Sequence, residues 1–291
     1  AAEGTLGPDG LGDQSGQWAV NPGNLQATRD NARQLQVDFS VLALSLQNMD
    51  LDGDEMSDLN PFDVAVTCQS AGCFLSIPYM AFEPIASRAY INVTAGGIFR
   101  SLNEGWFGPN FLQPFLETLA GLEPGTAEYE QYLLSAQTVV DSADSINWGA
   151  ELSARIPVVH NQVMEDDTVP NTVPGAPLAG SEALNRVMGL ASYSTTQMNP
   201  DGLRGVARFV QPAEHGSWLR PTYPAVTAEM QGQMASFIAS GGTAVVVGNP
   251  DLLVPVPEQS PAKAAHEKKF GKADKKSKNR LGLKPVEAAK N

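Results

Sequence analysis

Lysine is missing from the first 258 residues of this 291-residue chain, where the nine basic side chains are all arginine. The same part holds 29 acidic side chains and is therefore strongly acidic. Nucleic-acid binding needs clustered positive charge against the phosphates, so the composition argues against a nucleic-acid partner. Residues 259–291 carry ten basic side chains and few large apolar ones. We predict that this segment is a disordered basic tail.

Cysteine is also scarce, and long hydrophobic runs are absent. No apolar run approaches the roughly 18 residues that a membrane-spanning helix needs. The two cysteines, Cys68 and Cys73, are five residues apart. A disulfide requires Cα atoms within about 7 Å and suitable Cβ directions, for which a strand end and a helix start are a poor pair. We therefore expect two small buried thiols, and cysteine usage leaves the cellular compartment open.

The segment VAVTCQSAGCF, residues 64–74, contains the most informative pattern in the chain. A β-branched run leads into a tight x-Ser-x-Gly turn at Ser70, and a helix-compatible segment follows. This pattern resembles the nucleophile elbow of the α/β-hydrolases, in which the serine hydroxyl stands at the end of a strand. Ser70 is therefore the candidate nucleophile.

Strand and helix patterns alternate along the chain, which predicts an α/β fold with a mostly parallel sheet and helices on both faces. Strands are predicted over residues 63–68, 88–94, 155–164 and 204–210, and helices over residues 25–47, 71–78, 109–120, 126–141, 181–193 and 223–239. We assign residues 1–258 to an α/β-hydrolase catalytic portion with a helical lid insertion at about 99–150.

A serine nucleophile needs a base, and the base needs an orienting acid; α/β-hydrolases supply them in the order Ser, acid, His. The predicted strand at 155–164 is followed by EDDTVPN, residues 165–171. The spacing favours Asp166 as the acid, with Asp167 as the rival, because one residue of register decides which carboxylate faces inward. His215 follows the last predicted strand and is the candidate base.

The tetrahedral intermediate of ester hydrolysis needs at least two hydrogen-bond donors for its oxyanion. The backbone N–H of Ala71, beside the nucleophile, is one candidate. No second donor and no convincing strand is recognisable in residues 1–62, whereas an α/β-hydrolase has several strands before its elbow. Either a separate chain or segment completes the sheet, which we favour, or the sheet closes differently.

Aromatic residues of the insertion, Phe107 and Phe111, and Trp218 beyond the candidate base are possible walls for an apolar substrate. Packing within a helical subdomain accounts for them equally well. The acid-rich loop at residues 50–58 has oxygen ligands suited to Ca²⁺ but lacks the full EF-hand pattern, and a plain acidic turn is the preferred interpretation. We assign no metal to the site.

Several segments resemble the secreted bacterial virulence-factor lipases. They are residues 16–22 (GQWAVNP), 24–25 and 28–34, the loop at 50–58, the stretch at 166–171 and EHGS at 214–217. The resemblance covers about residues 11–256 and implies an exported, secreted or cell-surface ester hydrolase with Ser70, Asp166 and His215 as its triad. It also implies early strands in full-length relatives. The chain departs from the Gly-His-Ser-Leu-Gly elbow of that family, having Cys68 and Gln69 before the serine.

These patterns predict a serine esterase or lipase that cleaves apolar acyl esters through an acyl-enzyme. This chemistry needs no cofactor. The alternative is a degenerate, non-catalytic hydrolase-like protein that binds or interacts with other molecules; the altered elbow and missing strands motivate it.

Overall fold

Seven short strands and eight α-helices, together with short 3₁₀ and π-helical turns, make up the regular structure of the described residues. The structure is a computed structural model and describes residues 20–60 and 62–256. The strands are β1 (Val64–Gln69), β2 (Ala86–Asn92), β3 (Val158–Val163), β4 (Ala191–Tyr193), β5 (Gln197–Met198), β6 (Arg204–Phe209) and β7 (Ala244–Val245). The helices are α1 (Leu25–Ser45), α2 (Ala71–Phe82), α3 (Ile98–Glu104), α4 (Gln113–Ala120), α5 (Ala127–Val140), α6 (Ser145–Arg155), α7 (Ser181–Met188) and α8 (Pro224–Ala239).

The main sheet has the strand order β1-β2-β3-β6-β4, and all of its pairings are parallel. Its residues alternate between two apolar cores. In β2, Ala89 and Ile91 pack on one face in a cluster that includes residues of α2, α6 and α7. Tyr90 points to the other face and contacts Phe237 of α8, with ring centroids 5.9 Å apart. Helices therefore cover both faces of a parallel sheet, and the predicted α/β class with a mostly parallel sheet is confirmed.

The strand that carries the elbow lies at an edge of the sheet. β1 pairs with β2 on one side, and within residues 20–60 and 62–256 no strand pairs with its other side. Only α1 and a short 3₁₀ turn precede β1 in the described part of the chain. The absence of strands before the elbow strand in this part agrees with the sequence prediction.

Some local predictions were wrong. Helix α2 continues through Pro78 to Phe82, because the apolar packing of α2 against α6 outweighs the hydrogen bond that proline removes. Residues 191–193, predicted as the end of a helix, form strand β4, since Gly189 ends α7 in a left-handed conformation. The sequence patterns also missed α3 and α6, which together with α4 and α5 lie between β2 and β3.

The described residues up to Pro255 belong to one compact unit. The predicted basic tail at 259–291 lies outside the described residues. Among the helices that the structure describes, none is long and apolar enough to cross a bilayer.

Candidate active site

The three residues of the predicted triad follow three strands of the main sheet. Ser70 comes directly after β1, Asp166 follows β3, and His215 follows β6. Because the strands are parallel, the loops that leave their carboxyl ends lie at the same edge of the sheet. The topology thus brings three distant segments of the sequence to one edge.

Backbone strain is concentrated at this edge. Ser70 has φ 53° and ψ −125°, a conformation that residues with a side chain rarely adopt. Val93, directly after β2, and Glu165, shortly after β3, also have positive φ angles. Strained conformations of this kind persist where the surrounding structure enforces them, and they cluster at functional sites.

Main-chain hydrogen bonds hold the turn at Ser70 in place. The Ser70 N–H donates to the carbonyl oxygen of Asn92 at 2.9 Å, and the Ser70 carbonyl accepts from the N–H of Cys73 at 2.9 Å. The first bond ties the turn to the neighbouring strand and the second starts α2. Gly72 is not required for close packing here, because a Cβ added to it would meet no atom within 4 Å.

The two cysteines that flank the turn form a disulfide, with Cα atoms 5.0 Å apart. The expectation of two free thiols was wrong. The sharp reversal at Ser70 brings the end of β1 and the first turn of α2 closer than a strand and a helix normally approach. Both cysteines are buried, Cys73 completely, so the covalent link between the two flanks of the turn is shielded from solvent.

His215 and Asp166 form a hydrogen-bonded pair. His215 Nδ1 lies 2.8 Å from Oδ2 and 3.2 Å from Oδ1 of Asp166. A carboxylate without a hydrogen can only accept, so in this pair Nδ1 is the donor; in the neutral tautomer that this bond favours, Nε2 has the lone pair that a base requires. The Asp166 side chain is 2% exposed and that of His215 is 17% exposed, so the pair has its carboxylate buried and its ring at the surface.

Backbone amides of the following turn fix the orientation of Asp166. Its Oδ1 accepts from the N–H groups of Thr168 at 2.9 Å and Val169 at 3.1 Å. The rival carboxylate, Asp167, is exposed and accepts instead from the hydroxyl of Thr168. The structure therefore pairs Asp166, and not Asp167, with His215.

A glutamine side chain joins the serine turn to the histidine loop. Gln69 Nε2 donates to the carbonyl oxygen of His215 at 3.1 Å. Gln69 is the residue before Ser70, so this contact places the histidine loop beside the turn. Within the described residues no hydrogen bond joins the hydroxyl of Ser70 to the ring of His215. The sequence analysis singled out Gln69 only as a departure from a family pattern, and the contact with His215 was missed because its partner is 146 residues away.

The candidate oxyanion donor is free for a ligand. In the described part of the chain no acceptor takes the N–H of Ala71, the first residue of α2. An N–H at a helix N-terminus favours negative charge, which suits an oxyanion next to Ser70.

A cavity of about 290 Å³ adjoins Ala71 and is almost entirely apolar. Helices α1, α2 and α3 and the end of α5 form its walls, and Ala32 and Leu35 of α1 contribute to it. The sequence analysis predicted a helix over residues 25–47 but not this cavity, because the apolar side chains of such a helix serve equally well to pack it against a core. A second, polar cavity of about 490 Å³ is lined by Asp166, His215 and neighbouring residues of their two loops.

The predicted substrate walls lie elsewhere. Phe107 and Phe111 contact each other, with ring centroids 4.8 Å apart, and do not line either of these cavities. Trp218 is buried in the core between the sheet and α8. A substrate-binding role for these three residues stays a prediction.

The acidic loop brings three carboxylates together. Oxygen atoms of Asp50, Asp52 and Asp58 lie within 4.8 Å of one another, and all three residues are exposed. Asp50 accepts from the N–H groups of Gly53 and Glu55, and these bonds hold the pKa of Asp50 below its usual value. The same oxygens that would bind a cation therefore already stabilise the turn.

No protein-family model matches the chain, and no curated protein matches it. Among solved structures it is similar to a puromycin-hydrolyzing peptidase of Mycobacterium tuberculosis at 15% identity and a TM-score of 0.41, over 70% of this chain and 26% of that one. It is also similar to the alpha/beta hydrolase GrgF from Penicillium sp. sh18 at 14% identity and a TM-score of 0.39, over 72% of each chain. The chain thus spans about a quarter of the length of the peptidase. Similarities at this level do not indicate a shared activity, and the resemblance to virulence-factor lipases stays a prediction.

Proposed function

We propose that the protein is a serine hydrolase that cleaves carboxylic esters of apolar acyl chains through an acyl-enzyme. The observation that carries the proposal is the Asp166–His215 pair, 2.8 Å between Oδ2 and Nδ1, in a loop that Gln69 ties to the turn of Ser70. A buried carboxylate, an imidazole and a serine in a strained turn at one sheet edge are the groups that acyl transfer requires.

In the proposed reaction His215 Nε2 takes the hydroxyl proton of Ser70 while Oγ attacks the ester carbonyl carbon. The carbonyl oxygen becomes an oxyanion, which the N–H of Ala71 stabilises. The intermediate collapses and expels the alkoxide, which receives the proton from His215. Water then repeats the sequence on the acyl-enzyme and regenerates Ser70 and the free acid. Throughout, Asp166 orients the imidazole and stabilises its charged form.

The apolar cavity beside Ala71 supports acyl chains as the substrate class. It lies next to the position of the oxyanion, and burial of hydrocarbon there would contribute about 0.8 kcal/mol per methylene. Among the described residues that line it, Arg29 is the one charged side chain, and its guanidinium is bonded to Asp30 at 2.8 Å, so this lining offers no unpaired charge to a ligand carboxylate or ammonium.

The test is hydrolysis of p-nitrophenyl acetate and octanoate by the wild type and by Ser70→Ala. We expect turnover by the wild type that Ser70→Ala abolishes. Equal rates for the two proteins would reject the proposal.

The second candidate function is a non-catalytic binding protein on the same fold. The observation in its favour is that no hydrogen bond joins the Ser70 hydroxyl to His215 within the described residues. A fluorophosphonate probe distinguishes the two, because it labels an activated serine and leaves an inert one unmodified. Secretion or surface location, and an N-terminal segment or chain that pairs with the edge of β1, are further proposals that rest on the sequence resemblance.

A further inference from the structure

Gln69 is the last residue of β1 and belongs to a row of amide side chains across the sheet. It is in register with Asn92 of β2, which is in register with Asn161 of β3. Residues paired in this way on parallel strands point to the same face. The three amides therefore form a polar row directly behind the turn of Ser70.

Each amide of the row donates to a different element. Asn92 Nδ2 donates to the carbonyl of Cys68 at 3.4 Å, and Asn161 Nδ2 donates to the hydroxyl of Tyr90 at 2.7 Å. Only Gln69, the longest of the three, reaches the histidine loop. Its Oε1, like the Oδ1 atoms of Asn92 and Asn161, is buried without a partner among the described residues, so the bond from Nε2 to the histidine loop is what distinguishes Gln69 within the row.

The histidine loop has few other restraints on the side of the serine. Its ring is bonded to Asp166, and the hydroxyl of Thr227 in α8 bonds the carbonyl of Ser217 at 2.6 Å. Within the described residues, no hydrogen bond other than that of Gln69 joins the loop at 210–220 to β1 or α2. The bond therefore joins the peptide of the candidate base to the residue preceding the candidate nucleophile.

We propose that Gln69 is a positioning residue that sets the distance between His215 and Ser70, an inference that rests on the proposed function. Proton transfer depends steeply on the separation of nucleophile and base. Removal of the bond should therefore slow acylation while leaving substrate binding unchanged, because Gln69 faces the loop and does not line the apolar cavity.

The test compares Gln69→Met, Gln69→Glu and Asn161→Leu with the wild type. Methionine keeps the length of the side chain without a donor. Glutamate keeps the shape of the side chain and presents an oxygen in place of the donor, so it removes the same bond through a different substitution. Asn161→Leu is the control, since it removes an amide of the same row that does not touch the loop; Asn161 is fully buried, whereas Gln69 is partly buried. Thermal unfolding establishes that each variant is folded.

For both Gln69 variants we expect kcat and the rate of fluorophosphonate labelling to fall by about three- to tenfold, which corresponds to the free energy of one hydrogen bond. KM should stay within about twofold of the wild-type value. In Asn161→Leu kcat should stay within about twofold. The inference would be overturned if the Gln69 variants had the kcat of the wild type, or if kcat fell equally in the two Gln69 variants and in Asn161→Leu. An inactive and unlabelled wild type would instead count against the proposed function itself, so the two failures are distinguishable.

Discussion

Cys68 and Cys73 are covalently joined across the turn that presents Ser70, and their Cα atoms lie 5.0 Å apart. The link encloses the nucleophile in a loop of six residues. Since Ser70 has a positive φ angle, this loop must hold an unfavourable backbone conformation as well as close the turn.

We expect the double variant Cys68→Ala/Cys73→Ala to be less stable by about 2 kcal/mol, the loop-closure entropy of so short a loop. Relaxation of the turn should also slow fluorophosphonate labelling of Ser70 by about ten- to a hundredfold. Urea unfolding and labelling rates measure the two effects. The chain has no other cysteine, so a reductant should slow the wild type and leave the double variant unchanged. A reductant effect on both proteins would contradict this prediction.

Asp166 and Asp167 are a natural matched pair for mutagenesis. Asp166→Asn should lower kcat by on the order of 10⁴-fold. An amide nitrogen in the place of Oδ2 donates to Nδ1 of His215, which favours the tautomer with its hydrogen on Nε2. Asp167→Asn should have little effect, because within the described residues that carboxylate bonds only its neighbour Thr168. Steady-state hydrolysis of p-nitrophenyl esters measures both, and equal losses would contradict the assignment of Asp166.

The apolar cavity predicts a preference for longer acyl chains that α1 controls. Ala32→Phe places a large ring in the cavity and should lower kcat/KM for octanoate relative to acetate esters by about tenfold, the worth of about two buried methylenes. Val41→Phe is the control, since Val41 is on the same helix but 58% exposed and outside the cavity. An unchanged octanoate-to-acetate ratio in Ala32→Phe would place the acyl chain elsewhere.

The sequence was sufficient to predict which strand each of the three candidate triad residues follows. Several contacts of the candidate site could not be predicted from it. Ser70, Asp166 and His215 each follow a segment that the sequence predicts as a strand, and parallel pairing brings such strand ends together. Which of the two adjacent carboxylates faces inward depends on the turn after β3, where the N–H groups of Thr168 and Val169 capture Asp166.

The disulfide and the Gln69 contact depend on tertiary geometry that local patterns do not contain. The cysteines approach because the chain reverses within two residues, which no propensity scale encodes. Gln69 meets His215 only because the loop after β6 passes the end of β1. Strand β4 has three residues and was hidden by the helical periodicity of the segment before it.

A buried histidine outside the candidate triad makes the stability of the fold depend on pH. His160 of β3 is fully buried, its Nδ1 lies 2.6 Å from Oδ1 of Asn185, and its Nε2 accepts from the N–H of Thr94. Burial lowers the pKa of His160 to about 4; the nearby Arg208 also lowers it, while Asn185 and Glu182 oppose the shift.

In the unfolded chain a histidine has a pKa of about 6.5. Between pH 6.5 and pH 4, His160 is therefore protonated in the unfolded chain and neutral in the folded one. Stability is fully present above pH 6.5 and is lost as the pH falls, by about 2 kcal/mol between pH 7 and pH 5. Urea unfolding at pH 7 and pH 5 measures this loss of stability. Glutamine cannot take up the proton, so in His160→Gln the loss between the two pH values should be smaller by about 2 kcal/mol. If the two proteins lose equal free energy of unfolding between pH 7 and pH 5, groups other than His160 control the acid sensitivity of the fold.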